Sequence, residues 1–175
     1  MLQFYYDFML KFVDRKDFEY CEMDTDSAYL ATSGECLEDV IKPNMRSVFD
    51  REKHEWFPRD DSEEHKQFDK RTPGLFKLEW VGDGIIALNS KCYYCFGSDK
   101  EKVSCKGVNR ELNNLSKDKF LEVIQRKSGV TATNRGFRVC GNQMQTYVQE
   151  KTALSYLYIK RKVSNDGVST SALDL

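Results

Sequence analysis

Two strand-like runs, residues 18–23 and 27–31, are separated only by Asp24-Thr25-Asp26 in the stretch CEMDTDSAYLAT. A connection this short cannot carry a parallel crossover, so the two runs are expected to form an antiparallel hairpin with the aspartates at its tip. Residues i and i+2 of a strand project from one face, so Asp24 and Asp26 are expected to look toward one point at the strand end. Two carboxylates so close resist joint ionisation unless a cation lies between them. Hard oxygen donors of this kind suit Mg²⁺ or Mn²⁺, whose shell is completed by water and substrate phosphates. The alternative is an Asx-type turn, in which the short acids bond their own backbone.

The rest of the chain reads as a mixture of short elements. Leu2, Tyr5, Met9, Phe12 and Val13 fall at helical spacing and predict a helix over residues 2–13. It starts without a capping residue, as a chain beginning inside a larger domain would. Residues 35–56 read as helical with an interruption at Pro43, and the charged, breaker-rich PRDDSEEHKQFDKRTPG, residues 58–74, reads as a loop and an internal boundary. LFKLEWVGDGIIAL, SKCYYCF and EKVSCKGV follow as three strand-like runs joined by Gly-Asp-Gly and Gly-Ser-Asp turns. Residues 115–127 predict a helix with Ser116 as N-cap and Phe120, Leu121 and Ile124 on its apolar side. Residues 128–163 are mixed, and residues 164–175 form a polar tail expected to fray. The fold class expected is α+β: a β-hairpin with packed helices, followed by a β-rich, mixed region.

With 175 residues and 40% hydrophobic content, the chain can bury one core, or one and a half small ones. The net charge of -1 hides a division: residues 1–88 hold 12 Lys/Arg against 20 Asp/Glu, and residues 89–175 hold 15 against 8, giving -8 and +7. The basic half suits a polyanion. No apolar run approaches the ~18 residues of a membrane span, and residues 1–18 lack a basic leader followed by an uninterrupted apolar stretch. The six cysteines show no regular framework, so reduced thiols in an intracellular protein are expected. Cys92 and Cys95 form a CxxC, but in a strand they point to opposite faces and cannot share a metal. His54 and His65 flank a charged loop without metal-ligand spacing.

The run MDTDSAYL resembles the motif C region of B-family DNA polymerases, where an aspartate-threonine-aspartate-serine tetrad tips a palm hairpin. Downstream, Ser90-Lys91-Cys92-Tyr93 resembles the Lys-x-Tyr motif with which that family contacts the primer end. The order of FYYDF, CEMDTDS, EKHEWFPRDD, DKRTPGLFKLEW, GDGIIAL, SKCYYCFG, KVSCKGVN and NRGFRV is similar to the C-terminal part of the protein-primed branch, of the kind carried by Maverick or Polinton transposons and related viruses. The resemblance covers nearly the whole chain. It implies the C-terminal part of a palm over residues 1–89, a thumb-like DNA-binding region over 90–163 beginning at the Lys-x-Tyr strand, and the tail beyond.

The implied activity is template-directed nucleotidyl transfer in DNA replication, with Asp26 the principal Mg²⁺ (or Mn²⁺) ligand and Asp24 a supporting one. The implied partners are DNA primer-template, deoxynucleoside triphosphates and a terminal protein primer. The implied location is intracellular, in the nucleus for a eukaryotic source. Period two would put Lys91 and Tyr93 on one strand face against the primer backbone. Lys102, Lys106, Arg110, Arg135, Arg138, Lys160, Arg161 and Lys162 would add a salt-sensitive, sequence-independent grip. The sequence departs from the family in three ways. Neither the motif A aspartate nor the motif B lysine is found before residue 24, the exonuclease carboxylates are missing, and Glu22-Met23 stands where many members have tyrosine-glycine. The chain alone is therefore expected to be inactive. Two other readings are a non-catalytic DNA-binding remnant of a transposon polymerase and a DxD-type nucleotide-sugar glycosyltransferase.

Overall fold

The computed structural model describes residues 1–156 and 161–172. Its architecture is α+β, with short helices and small sheets in two compact units, Met1–Asp83 and Gly84–Leu175. Residues 84–88 carry no charge, so the division into -8 and +7 is also the division between the units. The boundary falls between the two that the sequence offered, residues 58–74, which lie within the first unit, and residue 89.

In the N-terminal unit the chain starts with a π-helical turn, Phe4–Met9, running into α1 (Leu10–Phe12). Phe4, Phe8 and Phe12 recur at i+4 and are all buried, whereas Leu2, expected on the apolar face, is exposed. The hairpin follows as β1 (Phe18–Met23) and β2 (Ala28–Thr32), paired antiparallel. Residues 35–56, expected as one interrupted helix, break into 3-10 turns at Leu37–Val40 and Pro43–Met45, then α2 (Arg46–Glu52) and a 3-10 turn Lys53–Glu55. Pro43 takes the first position of its turn, where a missing N–H costs nothing. The core joins Phe4, Phe8, Met9, Phe12 and Val13 to Phe18, Val40, Ile41 and Phe49.

The segment expected as a loop, residues 58–74, contains α3 (Glu63–Asp69). Ser62 caps it by accepting a hydrogen bond from His65 N at 3.1 Å, and Glu63 and Glu64 complement the positive end of the helix. Its far end is tied down by Asp69, only 3% exposed, whose carboxylate accepts from Arg59 Nε at 2.8 Å, Arg59 Nη2 at 2.9 Å and Arg59 N at 2.9 Å. The side-chain hydrogen bonds from Arg59, then its backbone N–H, hold the Asp69 carboxyl well below its ordinary value. A depressed folded-state pKa stabilises the fold above the unfolded-state value and loses that contribution as pH falls through the folded one. Asp69→Asn is therefore expected to lower the thermal midpoint at pH 7. The gap to the parent chain should narrow progressively as pH falls from about 5 toward the depressed folded-state value, as followed by melts across the acid range. A gap independent of pH would refute the assignment.

The C-terminal unit opens with an antiparallel sheet of β3 (Gly84–Asn89), β4 (Cys92–Phe96) and β5 (Lys102–Cys105), in that order. Residues 75–83, expected to begin the first strand, are not in a strand, so Gly82-Asp83-Gly84 leads into β3 and does not close a hairpin. The β3–β4 turn is made by Ser90 and Lys91. Helix α4 (Lys117–Arg126) packs Phe120 and Val123 against Ile86, Cys92, Tyr94 and Leu154. Ser116 occupies the N-cap but makes no capping bond there. The entry is held by a hydrophobic staple, Leu115 before the cap with Phe120, both buried. Lys127, in the left-handed conformation at φ 49°, closes the other end, with Ser128 N bonding Val123 O at 3.2 Å.

The stretch expected as mixed is one long antiparallel arm, β6 (Gly129–Cys140) with β7 (Gln143–Ser155). Tyr147 lies over Gly136, where a Cβ would meet its ring at 2.8 Å. Where the tail was expected to fray, residues 164–172 are ordered by β8 (Arg161–Val163) pairing with β9 (Thr170–Ala172), and residues 173–175 lie outside the described residues. Asp166 closes their turn by accepting from Val168 N and Ser169 N.

Candidate functional site

The tetrad occupies the tip of the β1–β2 hairpin. Met23 pairs with Ala28, Asp24 N donates to Ser27 O at 2.9 Å, and Thr25-Asp26 bridge the two strands. Both aspartates thus sit in the connection between strands, not within one as the spacing predicts, and the period-two argument does not set their directions. Asp24 is half-buried, and its Oδ1 accepts from Thr25 N at 2.7 Å and Thr25 Oγ1 at 3.3 Å. That is the local, turn-forming use of a short acid. Asp26 is exposed at the tip.

A bulge shapes the approach to the tip. Tyr20 pairs with Leu30, but Glu22 pairs with Tyr29, so Cys21 is the extra residue. Without it, Glu22 would share the core face of Phe18 and Tyr20; with it, Glu22 moves to the other face, beside Tyr29. There Tyr29 packs edge-on to Trp80, with ring centroids 6.3 Å apart, and Glu22 is only 9% exposed. The sequence marked Glu22 only as a departure from the family's tyrosine-glycine, and its burial was not expected. Its one signal was a glutamate inside the strand-like run FEYCEM.

Mg²⁺ takes one or two protein carboxylates and fills its octahedron with water and phosphate oxygens. Asp26 and Asp24 fit that limited share. Among the described residues no group of three or more His, Cys, Asp or Glu is gathered that could enclose a metal.

The Lys-x-Tyr residues are placed differently from the expectation. Lys91 lies in the β3–β4 turn with φ 63°, and only Tyr93 is on the strand, opposite Ala87 and Ser104. The two therefore share no strand face; the hairpin turn ends one residue too late for that. The basic residues are scattered over several elements. Lys102 starts β5, Lys106 follows it, and Arg110 lies in the turns before α4. Arg135 and Arg138 are both on β6 and both exposed, but three residues apart on a strand they face opposite sides of the arm. A duplex resting on one face meets one of them. On β8, the Arg161 guanidinium donates to Thr170 Oγ1 at 2.7 Å and Thr170 O at 2.8 Å, and Lys162 is exposed. Lys160 lies outside the described residues.

The arm also has an apolar side the sequence reading did not single out. Val139 pairs with Met144, Phe137 with Thr146 and Arg135 with Val148, and direct partners share a face. Phe137, Val139, Met144 and Val148 are each at least 65% exposed there. No helix among the described residues is long and apolar enough to cross a membrane. No family model matches the chain, and neither a curated protein nor a solved structure matches it.

Proposed function

We propose that this chain is the C-terminal palm-and-thumb portion of a B-family, protein-primed DNA polymerase, of the transposon or virus-like type, acting on primer-template and deoxynucleoside triphosphates. The observation that carries this reading is the tetrad Asp24-Thr25-Asp26-Ser27 at the tip of an antiparallel hairpin. In two-metal phosphoryl transfer the protein positions the reactants, while metal ions stabilise the attacking and leaving oxygens. Asp26, exposed at the tip, would be the principal Mg²⁺ ligand. Asp24, with one oxygen held by the Thr25 backbone, would support it. The family's motif A aspartate would supply the remaining carboxylate, so this chain by itself is expected not to extend primers.

Primer extension tests the reading, using the longer chain encoded when the source transcript is read upstream of the Met1 codon. A frame carrying a motif A aspartate and a motif B lysine, with extension falling at least about 100-fold in Asp26→Ala, is expected. Stops upstream, or extension indifferent to Asp26→Ala, would sink the catalytic reading.

The charge division favours a second reading, a DNA-binding remnant: the unit at +7 is separate from the unit that carries the tetrad. It predicts non-specific binding of labelled primer-template by the present chain, with Kd in the range of about 10⁻⁴–10⁻⁶ M at physiological salt and weakening steeply as salt rises. Binding should survive Asp26→Ala and fall with Lys91→Ala. A glycosyltransferase would need a nucleotide-binding α/β unit, whereas every strand pairing among the described residues is antiparallel. Thermal protection by a UDP-sugar with Mn²⁺ would revive it.

A further inference from the structure

We propose that Cys92 and Cys105 are a redox-modification site that closes to a cross-strand disulfide when the protein meets a peroxide. The proposal stands on the C-terminal unit alone and is independent of the polymerase reading. Cys92 on β4 lies directly opposite Cys105 on β5, and their sulfurs are 4.0 Å apart. Directly opposed residues of an antiparallel pair have Cα atoms about 4.5 or 5.5 Å apart, and a disulfide spans either separation. Closure therefore needs rotation of two side chains and no change of register. The Ala153 carbonyl of β7 lies 3.3 Å from Cys105 Sγ and 3.9 Å from Cys92 Sγ, which keeps both sulfurs on one side of the sheet.

The two thiols are unequal. Cys92 is 3% exposed and belongs to the core, whereas Cys105 is half-buried, so an oxidant reaches Cys105 first. The Cys92 S–H donates to Cys105 Sγ, and this bond, aided by the Lys151 ammonium, draws Cys105 below the ordinary thiol value. The same sulfur and burial push Cys92 up. Lys151 reaches the site across Gly107, where a Cβ would meet its Nζ at 2.6 Å; φ of 69° at Gly107 suits glycine. A more acidic, accessible thiol beside a resolving one is the arrangement of a peroxide-responsive pair.

The chemistry balances with hydrogen peroxide as the oxidant. The Cys105 thiolate attacks one peroxide oxygen, the O–O bond breaks, and Cys105 sulfenic acid and hydroxide form. Hydroxide takes the Cys92 proton to give water. The Cys92 sulfur then attacks the sulfenic sulfur, forming the S–S bond and releasing hydroxide. Each sulfur gives one electron, and each peroxide oxygen gains one.

The test treats the reduced chain with equimolar hydrogen peroxide, traps remaining thiols by alkylation, and reads intact mass and a tryptic map. The expected product carries alkyl groups on four of the six cysteines, gains the remaining two when dithiothreitol precedes alkylation, and carries CYYCFGSDK joined to VSCK. The link should persist in Cys95→Ala, vanish in Cys105→Ala, and lose its preference over other pairings when oxidation is run in urea. A link that requires Cys95, Cys105 driven to sulfinic acid without a link, or equal pairing in urea and in buffer would each overturn the proposal.

Discussion

Phe8→Ala is expected to cost the N-terminal unit about 3–5 kcal/mol, the range for deleting a buried phenylalanine side chain. Phe8 is fully buried, and its ring lies 5.0 Å from Phe4, 5.1 Å from Phe12 and Phe57, 5.6 Å from Trp56 and 6.1 Å from Phe49. The loss has two parts, the transfer free energy of the ring and the cavity it leaves. Rings on several sides cannot all collapse into one void. Both tryptophans of the chain, Trp56 and Trp80, belong to this unit, so tryptophan fluorescence in a urea titration reports its unfolding. A loss under about 1 kcal/mol would mean that the aromatic cluster repacks freely. Phe8→Leu, which keeps much of the volume, should fall between the two and serves if the alanine variant does not fold.

Phe120→Ala should be as damaging to the C-terminal unit, again about 3–5 kcal/mol. Phe120 is fully buried, meets Tyr94 edge-on with centroids 5.6 Å apart, and forms the inner half of the staple that starts α4. The truncation removes core contact and helix entry together. Cys95, fully buried on β4, provides the readout, because its thiol reacts only when the unit opens. With opening and closing fast relative to labelling, the alkylation rate follows the open population. A loss of about 3 kcal/mol should therefore raise that rate by roughly two orders of magnitude. A rate unchanged from the parent chain would show that α4 does not hold the sheet closed.

The elements readable in advance were those whose signal is local. The β1–β2 hairpin follows from two apolar runs too close to pair any other way, and its observed β1 bounds, Phe18–Met23, coincide with those expected. Helix α4 follows from Phe120 and Ser116, although Val123 and not the expected Ile124, which is exposed, completes its buried side, and Leu115, not Ser116, anchors its start. The misreadings share one cause. Helix α3 was hidden because Asp69 looks like loop composition until Arg59, ten residues away in sequence, is found against it. The arm of β6 and β7 was hidden because exposed Phe137 and Val139 blur the alternation of inward and outward residues. Within the candidate site, the tetrad's position at a tip was legible, but its backbone bonds were not. Nor was the displacement of Lys91 into a left-handed turn, since no residue type there announces the change.

By itself the sequence determined the hairpin with Asp24 and Asp26 at its tip, the separation of acidic and basic halves and the α+β class, because turn length, periodicity and charge order act over a few residues. Only the tertiary structure decided that the Cys21 bulge turns Glu22 away from the core face and that Cys92 faces Cys105. These depend on register, and register is fixed by which side chains must be buried together: a slip of one residue would send each of them to the other face.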